Sequence, residues 1–152
     1  MDKSLLLAFL TVCACCTSPN SKAEDGSFYG ISTLHSLHQD RESHYNEKNY
    51  GIGGEFHVSQ DFRLVFGEYK NSFKNKSEYF GSGYLPFHRN DFSAGFLIVG
   101  INGYNFKDLK KFELVAVPVV SYEKEKFLLN FVFIPPVFNA GVIALQAGWR
   151  FK

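Results

Sequence analysis

From Ser27 onward, apolar and polar residues alternate in short runs closed by turn-forming residues, and no apolar run is long enough for a membrane-spanning helix. Eight such runs read as strands, at 27–38, 48–58, 62–71, 78–88, 91–104, 112–123, 127–135 and 140–151. Ser59-Gln60-Asp61, Arg89-Asn90-Asp91 and Glu123-Lys124-Glu125-Lys126 carry turn chemistry between them. Phe62, Leu64 and Phe66 share one face of the third strand. In the last strand Ile143, Leu145, Ala147, Trp149 and Phe151 oppose Gln146, Gly148 and Arg150. Short turns alternate with longer connections near 39–47, 72–77 and 105–111, as they do in outer-membrane barrels. The pattern predicts an all-β, eight-stranded antiparallel up-and-down β-barrel of outer-membrane type. A soluble lipocalin-like barrel would show the same period with its apolar face turned inward, and periodicity alone does not separate the two.

The N-terminus reads differently. Asp2 and Lys3, an apolar stretch from Leu5 to Cys16, and Ser21-Lys22-Ala23 form an export signal over residues 1–23, leaving a single domain at 24–152. A second reading of Val12-Cys13-Ala14-Cys15 is a lipoprotein box with lipidation at Cys15. All three cysteines lie within the signal, which excludes disulfide, zinc-thiolate and cysteine-nucleophile chemistry from the mature chain. Removing Lys3, Lys22 and Asp2 leaves 14 basic and 14 acidic residues, so nothing favours a nucleic-acid partner. The 17 Phe and 8 Tyr suit strands and membrane-interface girdles. The expectation is a monomer in the outer membrane, with no cofactor.

Proline has no N–H for a ladder, so Pro118 inside the sixth strand and Pro135-Pro136 closing the seventh predict a lateral gap in the wall. The bland alternative makes Pro118 a bulge and Pro135-Pro136 the start of a turn. Ser72 ends the third strand on the long-loop side and needs a base to act chemically, with His35, His38, His44, His57 and His88 as candidates. The spacing of His35, His38 and His44 fits no standard metal site, so none is assigned. Lys107, Lys110, Lys111 and Asp108 read as a solvated loop, with contact to lipopolysaccharide phosphates as the sharper alternative.

Five segments in order resemble the lipid A palmitoyltransferase family. Tyr45-Asn46-Glu47 with Gly51 and Gly53 resembles its Tyr-Asn-Glu and glycine-rich second strand, Lys70-Asn71-Ser72 its Lys-Asp-Ser, and Gly81-Ser82-Gly83 its Gly-Tyr-Gly. Phe133-Ile134-Pro135 with Asn139 and Gly141 resembles its Tyr-Ile-Pro and Asn-Asn-Gly run, and the Pro118 to Pro135 spacing is similar. The resemblance implies an eight-stranded barrel whose lumen takes a phospholipid acyl chain. The chain enters sideways past strand prolines (here Pro118 and Pro135), and a glycine matching Gly83 floors the acyl pocket. A palmitoyl group then moves from phospholipid to lipid A. It further implies a catalytic His, Asp and Ser at the extracellular mouth. Ser72 matches the serine, Asn71 stands in place of the aspartate, and either His38 or His35 matches the histidine. Alternation favours His38, which shares a face with Gly30, Ser32 and Ser36, while His35 shares one with Tyr29, Ile31 and Leu37. Asn71 would orient His38 or Ser72 by hydrogen bonding without carrying charge. Asn49 occupies a position where the family has proline, and the family's N-terminal helix has no counterpart. The rival class is a non-catalytic barrel that binds lipid or alters the cell surface, which Asn71 favours.

Overall fold

The computed structural model describes residues 25–39, 45–104, 108–134 and 141–151. The predicted signal, Cys15, His44, Lys107, Pro135, Pro136 and Asn139 lie outside the described residues. Eight strands follow in order: β1 (Ser27–His38), β2 (Gly51–His57), β3 (Phe62–Lys70), β4 (Lys76–Arg89), β5 (Phe92–Ile101), β6 (Glu113–Lys124), β7 (Phe127–Ile134) and β8 (Val142–Phe151). Each pairs antiparallel with the next, and β8 returns to β1, from Phe28↔Phe151 to His38↔Val142. Closure pairs the two strands that an open sheet would leave at its edges.

The faces settle the choice that periodicity left open. Phe62, Leu64, Phe66, Phe80, Phe96, Ile98 and Trp149 point outward and are exposed. Polar and charged residues such as Glu55, Arg63, Ser93, Ser121 and Asn130 are buried inside. A lipocalin-like carrier has the opposite arrangement, whereas an apolar outside and a polar inside are what a bilayer selects. At the short-turn end Phe62 packs on Tyr84 (ring centroids 4.8 Å apart) and Phe92 on Tyr122 (5.0 Å), the aromatic girdle expected at an interface.

Tight turns join β2 to β3, β4 to β5 and β6 to β7, with Asn90 and Glu125 at positive φ. The other connections are longer and lie at the opposite end, so the two ends of the barrel differ. Two irregularities re-aim side chains. In β1 the register with β8 shifts between Thr33 and His35, leaving Leu34 as the extra residue. In β4 it shifts between Tyr84 and Phe87, where Pro86 occurs without breaking a regular ladder. Gly95 of β5 lies opposite that second bulge, and a Cβ there would overlap the Tyr84 carbonyl oxygen and approach the Leu85 Cα to 2.6 Å.

The interior has two halves. Toward the short turns a polar plug fills the lumen. Glu55 Oε1 accepts hydrogen bonds from Arg63 and His57, both at 2.8 Å, and Oε2 accepts one from Asn130 at 2.8 Å. Arg63 also donates to Ser121 (2.9 Å) and Ser93 (2.7 Å), and Ser121 donates to Asn130 (2.6 Å). The Tyr29 hydroxyl donates to Glu123, whose other oxygen lies 3.7 Å from His57 Nδ1. Toward the long loops the interior is aliphatic, with Val65, Leu97, Val99, Val117, Val119 and Val132 in one cluster.

Candidate functional site

His38 and Ser72 meet at the long-loop end. His38 is buried at the last rung of β1, and its Nε2 lies 2.7 Å from the Ser72 Oγ. His38 and not His35 is the histidine beside Ser72, but the face the sequence pattern assigned to it does not hold. Tyr29, Ile31 and Thr33 are the buried side of lower β1, whereas Ser32 points outward. The bulge at Leu34 exchanges the faces, so Ser36 and His38 turn inward above it and His35 does not join them.

What holds the pair is local. The ring of Tyr45 stacks on His38 with centroids 4.8 Å apart and planes at 24°, and Phe73 meets Tyr45 edge-on at 5.7 Å. Asn46 accompanies Tyr45, its backbone N–H donating to the Ser72 carbonyl (2.9 Å) and its side chain to the Asn71 carbonyl (3.1 Å). Asn49 bridges two walls. It accepts from the Ser36 hydroxyl and donates to the Lys70 carbonyl (2.9 Å).

Asn71 is fully buried beside Ser72 and shapes the loop after β3. Its Oδ1 accepts from the backbone N–H groups of Phe73 (2.9 Å) and Asn75 (3.0 Å). Its Nδ2 donates to Ser77 Oγ (2.9 Å) and the Gly103 carbonyl (2.8 Å). Those four bonds exhaust the amide, and among the described residues none of them goes to the His38 ring or the Ser72 hydroxyl. The side chain fixes the turn that presents Ser72, with Lys74 at φ 66°.

Sequence reasoning missed Tyr104, on the β5–β6 connection. Its hydroxyl lies 2.7 Å from that of Tyr69 and within hydrogen-bonding reach of Ser72. Thirty-five residues separate the tyrosines in sequence, and only barrel closure brings them together. Burial raises the Tyr104 pKa above its ordinary 10.0, against the lowering effect of the Tyr69 and Ser72 hydrogen bonds. A phenol that ionises later folded than unfolded leaves the folded state holding more protons above pH ~10, so stability falls as pH rises from there. Tyr104→Phe should flatten that alkaline loss, read as the urea midpoint in detergent against pH.

Below Ser72 and Tyr104 lies a cavity of about 100 Å³. Leu97, Val99, Val115, Val117, Val132 and Ile134 line it with aliphatic surface, and Thr33, Glu55, Tyr79 and Gln146 bring polar atoms to it. Its β6–β7 side is where the ladder fails. Pairing runs from Lys124↔Phe127 to Val119↔Val132, and the next residue is Pro118. From Pro118 to Glu113, β6 remains paired with β5, and Phe133 and Ile134 remain paired with β8. Among the described residues these two stretches share no rung across the β6–β7 seam. Since the β5–β6 register is unbroken through Phe96↔Pro118, Pro118 marks a gap and not a bulge.

Gly83 faces inward at the rung of Arg63 and Leu97, where aliphatic cavity meets polar plug. A Cβ on it would lie 2.7 Å from Leu97 Cδ2 and 3.2 Å from Leu85 Cδ1, both movable side-chain ends. Gly83→Met should therefore displace Leu97 into the cavity and, on the acyl-chain reading proposed below, shorten the longest chain bound by several methylenes, measured by retention of a chain-length series.

No protein-family model and no curated protein matches the sequence. Solved structures do. A structure from "De novo design of transmembrane beta-barrels" aligns with TM-score 0.62 at 13% identity, over 86% of this chain and 100% of that one. The designed TMB2.3, solved by NMR in solution, aligns with TM-score 0.63 at 13% identity, over 87% and 99%. The fold is that of a transmembrane β-barrel. Ail, the attachment invasion locus protein of Yersinia pestis, superposes more loosely on this barrel, with TM-score 0.45 at 13% identity over 84% and 100%. Such identities speak to the fold alone.

Proposed function

We propose that this barrel is an outer-membrane acyltransferase that moves a phospholipid acyl chain to lipid A or a related acceptor. The observation that carries the reading is the His38–Ser72 contact of 2.7 Å at the mouth of an aliphatic cavity. Val115, Val117, Val132 and Ile134 line the cavity on both sides of the seam at Pro118, so a lipid chain has a sideways path from the bilayer to the serine. His38 serves as general base toward the acceptor hydroxyl, and Ser72 lies beside the reacting ester carbonyl. Tyr45, stacked on the imidazole, orients the ring toward Ser72. The matches to the lipid A palmitoyltransferase motifs at Lys70-Asn71-Ser72 and Gly81-Ser82-Gly83 support the same reaction class.

The test is acyl transfer by the refolded protein from radiolabelled phospholipid to lipid A, with Ser72→Ala and His38→Ala alongside. Transfer that vanishes in both variants supports the enzyme, and absence of transfer in the wild type refutes it. The second reading, a non-catalytic lipid-binding barrel, draws on Asn71, whose neutral amide is wholly engaged in its loop. That reading expects lipid retention without turnover.

A further inference from the structure

The cavity is not uniformly oily. Part-way down it Gln146 Nε2 donates to Thr33 Oγ1 (3.4 Å), and the Tyr79 hydroxyl lies within hydrogen-bonding reach of both residues. All three line the cavity, Thr33 and Gln146 from the β1–β8 side and Tyr79 from β4, where its ring also packs against the aliphatic cluster. The Tyr79 ring lies along the wall over two glycines of its own rung, Gly67 of β3, which pairs with Tyr79, and Gly53 of β2, which pairs with Gly67. A Cβ on Gly53 or on Gly67 would lie 2.8 Å from the Tyr79 hydroxyl oxygen, so the two glycines leave the space in which the ring reaches over β3 and β2 toward Thr33 and Gln146. Thr33, Tyr79 and Gln146 carry four donor hydrogens between them, of which three mutual contacts use three. A plain hydrocarbon lying against this trio would cover polar groups that keep unused bonding capacity, at a cost in affinity.

The depth of the trio fixes where a chain would meet it. The β1–β8 ladder descends four β8 residues from Val142, opposite His38, to Gln146, opposite Thr33. At ~3.3 Å per residue and a tilt of roughly 40°, that is about 10 Å along the barrel axis. An extended chain advances ~1.25 Å per methylene, from a C–C bond of ~1.52 Å at tetrahedral angles, so a chain with its carbonyl at Ser72 passes the trio at about its eighth to tenth carbon.

We propose that the cavity selects an acyl chain bearing a mid-chain oxygen, a hydroxyl at about C8 to C10, which Thr33, Tyr79 and Gln146 hydrogen-bond. This rests on the reading that the cavity takes an acyl chain at all. The hydroxyl both donates and accepts, filling the capacity the trio leaves open, while the methylenes on either side lie against the valines.

The experiment is native mass spectrometry of the full detergent-extracted barrel, equilibrated with equimolar 10-hydroxystearate, 3-hydroxystearate and stearate. The expected result is a preference on the order of tenfold for 10-hydroxystearate, the worth of about one net hydrogen bond. The preference should be lost in Gln146→Leu and Thr33→Val and weakened in Tyr79→Phe, which keeps the ring across Gly53 and Gly67. Heat-modifiable gel mobility checks that each variant is a closed barrel. Equal retention of all three acids by the wild type overturns the mid-chain selection and leaves an acyl cavity standing. Retention of none overturns the acyl cavity itself. A preference that survives in Tyr79→Phe and in whichever of the other variants folds would also overturn the assignment of these side chains.

Discussion

Acyl transfer to lipid A should fall by about 10²–10⁴-fold in His38→Ala and by a comparable factor in Ser72→Ala, the span expected for loss of a positioned acid–base group or its partner. Both side chains sit at the rim, and neither belongs to the plug or to the aliphatic cluster. The variants should keep the wild-type gel mobility and urea midpoint, which separates lost chemistry from lost folding. Because the two groups act through one contact, the double variant should be no worse than the poorer single. Asn71→Asp sharpens the picture. Placing there the carboxylate of the motif that Lys70-Asn71-Ser72 resembles looks like a repair, yet Asn71 Nδ2 donates to Ser77 and to the Gly103 carbonyl at 2.8 Å. An aspartate oxygen there would face a carbonyl oxygen and lose both donors. We expect Asn71→Asp to lower transfer and to cost the loop ~1–3 kcal/mol, read as faster proteolysis between β3 and β4.

Arg63→Met should be the most destabilising single change in the barrel, by about 3–5 kcal/mol. It strips Glu55 of its guanidinium while leaving the carboxylate buried, and it takes donors from Ser93 and Ser121. Converting Glu55 and Arg63 together to leucine should cost less than the sum of the two single changes, since neither charge is then left alone. Urea midpoints of barrels folded in detergent measure both quantities.

Most of the barrel was legible because the pleat imposes a period of two on any strand with unlike faces. β1 begins and ends where the alternation placed it, at Ser27 and His38. The predicted second strand began at residue 48, but regular pairing starts at Gly51, because ahead of it Tyr45 stacks on His38 and Asn49 bonds the Lys70 carbonyl through its side chain. The bulge at Leu34 was invisible, since one extra residue changes the phase of the pattern without changing its composition. It explains how His38 was chosen while the face assigned to Gly30 and Ser32 was reversed. The partners of Asn71, and Tyr104 altogether, escaped for another reason. What an amide or a phenol touches in a loop depends on chain segments brought in from other strands, which local pattern does not encode.

The plug of Glu55, His57, Arg63 and Asn130 has a consequence for the cell. Below the cavity the lumen is filled by side chains that bond to one another, so the barrel is a blind well and not a conduit. Planar bilayers containing it should show no ionic current, and cells making it in quantity should be no more permeable to small hydrophilic antibiotics than those without it. A protein of this shape can admit lipid from the side at the surface while the permeability barrier of the envelope stays closed.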